Sequence, residues 1–190
     1  MVRSSRRVVL LLSALFLSAL VVQAQKYSPA NDEQSCRRFA QGFYNWYLRA
    51  VRHFPQKSEG FGTWAASLKY KGRNPFSPEL ARALIESDAE SKVDGDPVLD
   101  FDPILATQDR ADRYVVRNVI YKNGHYWADV YGVWSRPVPD QGKKPNVVAE
   151  LAFRDNRWSI VNFHYPDPDL AHATWVHDLL GLLKYQYHPK

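Results

Sequence analysis

The chain reads as an α+β protein, helices first and an antiparallel sheet after, on three observations. Aromatic residues recur at steps of three and four in the first half. From Arg113 the apolar period falls to two, and turn-forming residues divide that second half at short intervals. The 190 residues suit a leader followed by one domain.

The leader comes first. Arg3, Arg6 and Arg7 form a positive start, Val8 to Val22 is almost wholly apolar, and Val22-Gln23-Ala24 sets small residues where a signal peptidase would cut. The apolar run is at the short end of the ~17–25 residues a membrane span requires, so cleavage is expected in place of anchoring. Residues 1–24 are read as a signal peptide and 25–190 as a single domain with no further transmembrane segment, periplasmic or secreted. Cleavage removes three arginines and no acids from a chain of formal charge +5. The basic runs that remain are short, Arg37-Arg38 and Lys143-Lys144, and no nucleic-acid footprint is expected.

Helix 1 is predicted from about Asp32 to His53. Phe39, Phe43, Trp46, Tyr47, Ala50 and Phe54 fall on one stripe, and Asn31 with Gln34 resembles a capping pair. The single cysteine, Cys36, lies on the apolar side of this helix and is expected to be buried. A short helical turn is predicted over Thr63 to Lys69. Ser77-Pro78 then starts another helix that buries Leu80, Ala83, Leu84 and Ser87 and runs to about Ser91.

Four strands are predicted at Tyr114–Lys122, His125–Ser135, Asn146–Arg154 and Arg157–Tyr165, with Asn123-Gly124 and Asp155-Asn156 as hairpin turns. In the second strand Tyr126, Ala128, Val130, Gly132 and Trp134 face one way and Trp127, Asp129, Tyr131 and Val133 the other. Both faces therefore carry aromatics and each needs a cover. A C-terminal helix over about Ala171 to Tyr187, with Trp175, Val176, Leu179, Leu180, Leu183 and Tyr187 on one stripe, is expected to dock on the sheet as the second cover.

Helices followed by a curved antiparallel sheet that wraps the long helix is the order of the cone-shaped NTF2-like, or cystatin-like, fold. The segments FYNWYLRAV, LDFDPILATQD and RWSIVNFHY resemble the bacterial envelope family known as domain of unknown function 3828, grouped with the NTF2-like folds. The likeness covers about residues 36–165, and its most specific part is Asp102-Pro103 followed by Gln108-Asp109. Many members look like lipoproteins, whereas this sequence has no cysteine directly after its apolar run. The resemblance implies fold and compartment, and it carries no catalytic residues.

The stretch VLDFDPILATQD holds Asp100, Asp102 and Asp109 among apolar residues. An EF-hand register from Asp94 would put Leu99 and Leu105 where glycine and glutamate are needed, so that motif fails. Aspartates accept backbone N–H bonds in turns, and the favoured reading is a clasp that holds the helix-to-sheet crossover. His172 and His177 do not share a helix face, and no Gly-rich phosphate loop, nucleophile elbow or CxxC pair is present; no cofactor and no metal are expected.

Three functions remain. The leading one is a non-enzymatic module that binds an envelope protein, or a second copy of itself, through the sheet or the C-terminal helix. A second is a small-molecule cone lined by Trp46, Tyr47, Trp127 and Trp158, with Gln108 as a further pocket candidate. A third is an acid/base enzyme of isomerase or dehydratase type. It would pair Asp102 or Asp109 with His164, which alternates with Trp158 and Ile160 and so is expected to face the interior.

Overall fold

A computed structural model describes residues 29–53, 60–94, 101–139, 141–166 and 178–187. The chain divides into units of Met1–Asp32 and Glu33–Lys190, and the second holds the sheet and the core. The signal segment lies outside the described residues, as do Phe54, Asp100, His172, Trp175, Val176, His177 and His188.

The first helix, α1, spans Pro29–Ala50 and ends in a 3-10 turn, Val51–His53. It starts three residues before Asp32, so Asn31 lies within the helix and not at the boundary where a cap was expected. Cys36, Ala40, Phe43, Tyr44, Tyr47 and Val51 are buried along one side, the stripe that the three-and-four spacing demands. Phe43 and Tyr47 stack with ring centroids 5.6 Å apart, and Phe43 also meets Phe76 edge-on at 6.0 Å. Burial pushes the Cys36 thiol up to about 12, with Glu33 adding to the shift, which makes it an inert small hydrophobe.

Two helices follow, α2 at Phe61–Ser67 and α3 at Pro78–Asp94. Ser77 begins α3 as expected: its hydroxyl accepts the Leu80 N–H at 3.1 Å, and Pro78 occupies a position whose N–H has no helical partner anyway. The start of α2 has no side chain of its own to cap it. The carboxylate of Asp88, one turn along α3 from Leu84, does so instead, accepting the N–H groups of Gly62 at 3.0 Å and Thr63 at 2.5 Å. This works because Gly62 lets the two helices touch: a Cβ there would fall 1.8 Å from the Leu84 carbonyl oxygen.

The sheet is a four-stranded antiparallel meander in the order β1-β2-β3-β4, made of Arg113–Lys122, His125–Val133, Val147–Arg154 and Arg157–His164. Asn123 and Gly124 both have positive φ, as do Asp155 and Asn156, the backbone that tight two-residue hairpins require. Tyr126, Ala128, Val130, Val147, Ala149, Leu151, Ile160 and Phe163 are buried in the same core as α1. Tyr44 stacks on Tyr114 of β1 at 5.9 Å and the indole of Trp158 donates to Ser35 of α1 at 3.0 Å, so the long helix lies directly against the sheet. Tyr44, Tyr47, Tyr114, Phe43 and Phe163 are all fully buried in this shared core.

The last helix, α4 at Leu179–Tyr187, docks within the chain against α3 and β4. Leu179, Leu182 and Leu183 are buried in the same core as α1. This corrects the expectation that it covers the second sheet face. That face is instead shielded by side chains of its own: the Arg117 guanidinium lies 4.2 Å over the Tyr131 ring, and His164 lies against Trp127 at 4.4 Å.

Candidate functional site

The acidic loop is fastened from several sides. Asp102 and Thr107 pair through their backbones, Asp102 N–H to Thr107 O at 3.2 Å and Thr107 N–H to Asp102 O at 3.4 Å, and Ala106 takes a left-handed φ of 52° to close the reversal. The Asp102 carboxylate accepts the N–H of Ile104 at 3.0 Å and of Leu105 at 3.1 Å, and the Tyr47 hydroxyl lies 3.2 and 3.3 Å from its two oxygens. Two further hydroxyls hold the loop backbone, Tyr44 donating to Ile104 O at 3.3 Å and Tyr165 to Pro103 O at 3.1 Å. Three tyrosines from opposite ends of the domain thus clasp one turn.

Although Asp102 keeps part of its surface in contact with solvent, its carboxylate points inward among these rings. Burial pushes the carboxyl up to about 6, against the lowering effect of the Leu105 and Ile104 N–H groups, Tyr47 and Arg110. The Tyr47, Tyr44 and Tyr165 hydroxyls are held well above their ordinary range, first by burial and also by the Asp102 charge. Such hydroxyls donate and do not ionise. With three donors on its carboxylate and none of them an imidazole, Asp102 braces the loop.

The other members of the acid/base reading are elsewhere. Asp109 is a surface residue, its side chain 84% exposed and paired with Arg136 at 3.3 Å. Gln108 is exposed. His164 does not face the interior: the register shifts between Glu150 and Leu151, which leaves Val161 as an extra residue in β4. That bulge turns Phe163 inward and His164 outward, because one inserted residue reverses every side chain beyond it.

On the outer face His164 joins a cluster with Glu150 and His125. Glu150 of β3 accepts from His164 Nε2 at 2.8 Å through one oxygen and meets His125 Nδ1 of β2 through the other, and its side chain is only 13% exposed. Burial acts to raise the Glu150 carboxyl, but the hydrogen bonds from His164 and His125 prevail and hold it below the ordinary glutamate value. An ionised Glu150 places the proton on Nδ1 of His125 and on Nε2 of His164. Among the described residues no group of three or more His, Cys, Asp and Glu side chains is placed to hold a metal ion.

The four aromatic candidates do not line one cavity. Trp46 packs on Phe43 and Tyr70, while Tyr47 sits between Phe43 and Trp64 and reaches Asp102. Trp158 meets Tyr126 on the core side, and Trp127, next to Tyr126 in β2, faces the opposite way with its indole donating to the Lys122 carbonyl at 3.2 Å. Sequence reasoning missed Glu150, and also Gln41 of α1, whose amide donates to Tyr114 O at 2.9 Å and accepts the Val116 N–H at 2.9 Å on β1. A lone acid in the apolar run VVAELAF was the available signal for Glu150; nothing in the sequence marks Gln41 apart from other polar helix residues.

Comparison with known proteins finds no match among family models, curated proteins or solved structures.

Proposed function

We propose that the chain is an exported bacterial envelope protein of the NTF2-like kind, allied to domain of unknown function 3828, and that it works by binding another protein through its sheet, not by catalysis. The observation that carries this reading is where the exposed apolar surface lies. Of the three large hydrophobic residues that are exposed among those described, two are adjacent at the end of β1: Ile120 at 55% and Tyr121 at 53%. The C-terminal stripe that competed for this role is buried within the chain at Leu179 and Leu183. The polar groups that competed as catalysts are engaged in bracing, Asp102 by three donors and Asp109 by Arg136. The positive, apolar and small-residue pattern of the first 24 residues supports export. No helix among the described residues is long and apolar enough to cross a membrane.

A photo-crosslinking phenylalanine analogue at Tyr121, in cells producing the full chain, tests the reading. A discrete protein adduct is expected there and not from the same analogue at Ile85, the third exposed hydrophobic. Equal or absent adducts at both positions contradict it.

A further inference from the structure

The two short hairpins turn at the same end of the sheet, and one of them breaks a rule of strand pairing. Arg154 and Arg157 stand directly opposite each other across Asp155-Asn156. Like charges so placed destabilise a hairpin that opposite charges would support. At the other turn Lys122 stands opposite His125. All four side chains belong to the outer face. Trp127 and Glu150 are partners in register there, and His125 reaches the same Glu150. Phe153 meets Trp158 at 5.0 Å on the core side, which by alternation leaves Arg154 and Arg157 outward.

The fold does not neutralise these cations. Lys122, Arg154 and Arg157 are exposed, and among the described residues none of them is in an ion pair. The carboxylates that the strands place on this face are engaged, Glu150 by His125 and His164 and Asp129 by Asn118 at 3.1 Å. Asp155, in the turn between the arginines, is likewise in no ion pair among the described residues. A local rule broken without compensation inside the fold marks a place where a ligand supplies it.

Apolar surface adjoins the cations on the same face. Ile120 is 55% exposed and stands opposite Trp127 in register, one pleat from Lys122. An apolar centre bordered by charge has the anatomy of a protein interface, and the sign of the charge selects the partner. Guanidinium groups recognise carboxylates through paired N–H donors. A second copy of the chain would bring the same cations against their own counterparts, whereas an acidic surface relieves the repulsion between Arg154 and Arg157. We infer that the outer face of the sheet at its hairpin end, with Ile120 and Trp127 beside Lys122, Arg154 and Arg157, docks a carboxylate-bearing surface of a partner protein. This assignment rests on the proposed interaction function and names the face and the chemistry of its partner.

Arg157→Glu separates binding from stability. It gives the Arg154 pair opposite charges, so the urea midpoint should rise while binding falls about tenfold. Binding is read on the full mature chain by fluorescence anisotropy with a capped glutamate-rich peptide that carries leucines, and with its lysine counterpart. Salt-dependent binding of the acidic peptide alone is expected. Arg154→Gln, which removes one charge and adds none, should weaken binding in the same direction and serves if Arg157→Glu fails to fold. In cells, a photo-crosslinking analogue at Ile120 should give a protein adduct that either substitution diminishes. Equal binding of the two peptides, binding of neither, an acidic affinity that both substitutions leave unchanged, or sedimentation of the chain with phosphatidylglycerol vesicles would overturn the inference. In any of those events adducts at Tyr121 would leave the interaction function standing, whereas their absence would remove both.

Discussion

Asp102 illustrates how a carboxylate in a suggestive place is diagnosed by what surrounds it. Its folded pKa of about 6 lies above the ordinary 3.8, so the native state holds that proton more tightly than the unfolded chain does. The stability this contributes is complete below the unfolded value and is lost as pH rises through about 6. Urea unfolding between about pH 5 and pH 7 should therefore show the native chain losing about 1 kcal/mol through this group, and Asp102→Asn should remove that loss while keeping the acceptor for Ile104 and Leu105. Asp102→Ala should instead destabilise at both pH values, leaving two N–H groups and the Tyr47 hydroxyl without their acceptor. Glu150 has the opposite sign. Its carboxyl is held low, so its contribution is present above the unfolded value of 4.5 and disappears as pH falls through the folded one, and Glu150→Gln should flatten the acid limb of the stability curve.

The role of Asp102 was legible because an aspartate before proline at a turn has a local physical use, accepting the N–H groups that follow it, and the structure adds the tyrosines that complete the clasp. The orientation of His164 was not legible. Strand parity is a sound guide until an extra residue intervenes, and Val161 has nothing in its chemistry that announces a bulge. The joining of His125, Glu150 and His164 depends on register between separate strands, so each looks like an isolated polar residue until the hairpins are paired.

Among the elements, α2 depends on a neighbour for its existence. A seven-residue helix with no capping side chain of its own is marginal, and the buried Asp88 carboxylate from α3 satisfies two of its first N–H groups. Asp88→Ala should cost about 1–3 kcal/mol in denaturant unfolding, the penalty for leaving buried donors without an acceptor. Gly62→Ala should be harmful for a steric reason, since its Cβ and the Leu84 carbonyl cannot share that space. An unchanged unfolding midpoint for both variants would show that the α2–α3 contact is not as described. The helices and hairpins themselves were readable: the aromatic stripe of α1, the Ser77-Pro78 start of α3 and the turns at Asn123-Gly124 and Asp155-Asn156 are local signals. The dependence of α2 on Asp88 joins residues 26 apart and has no local signature.

Across the whole domain, one aromatic core joins α1, the sheet and α4. Leu183→Ala should weaken that union by about 2–5 kcal/mol in denaturant unfolding, because its side chain is fully buried where the last helix meets the core. The sequence correctly predicts that the α1 stripe and the strands face each other. It overestimates the covering that the second face requires, since Arg117 and His164 lie over Tyr131 and Trp127 and a further layer of secondary structure is not needed to shield those rings. Among the described residues, the large hydrophobics that face outward are Ile85 and, side by side at the end of β1, Ile120 and Tyr121. Hydrogen exchange resolved to single amides in that strand addresses this most directly. The Tyr121 amide, at the exposed end of the strand, should exchange rapidly, while the Val116 amide, held by Gln41, should be protected. A Tyr121 amide protected as strongly as that of Val116 in the free chain would mean that this end of β1 is covered and does not face a partner.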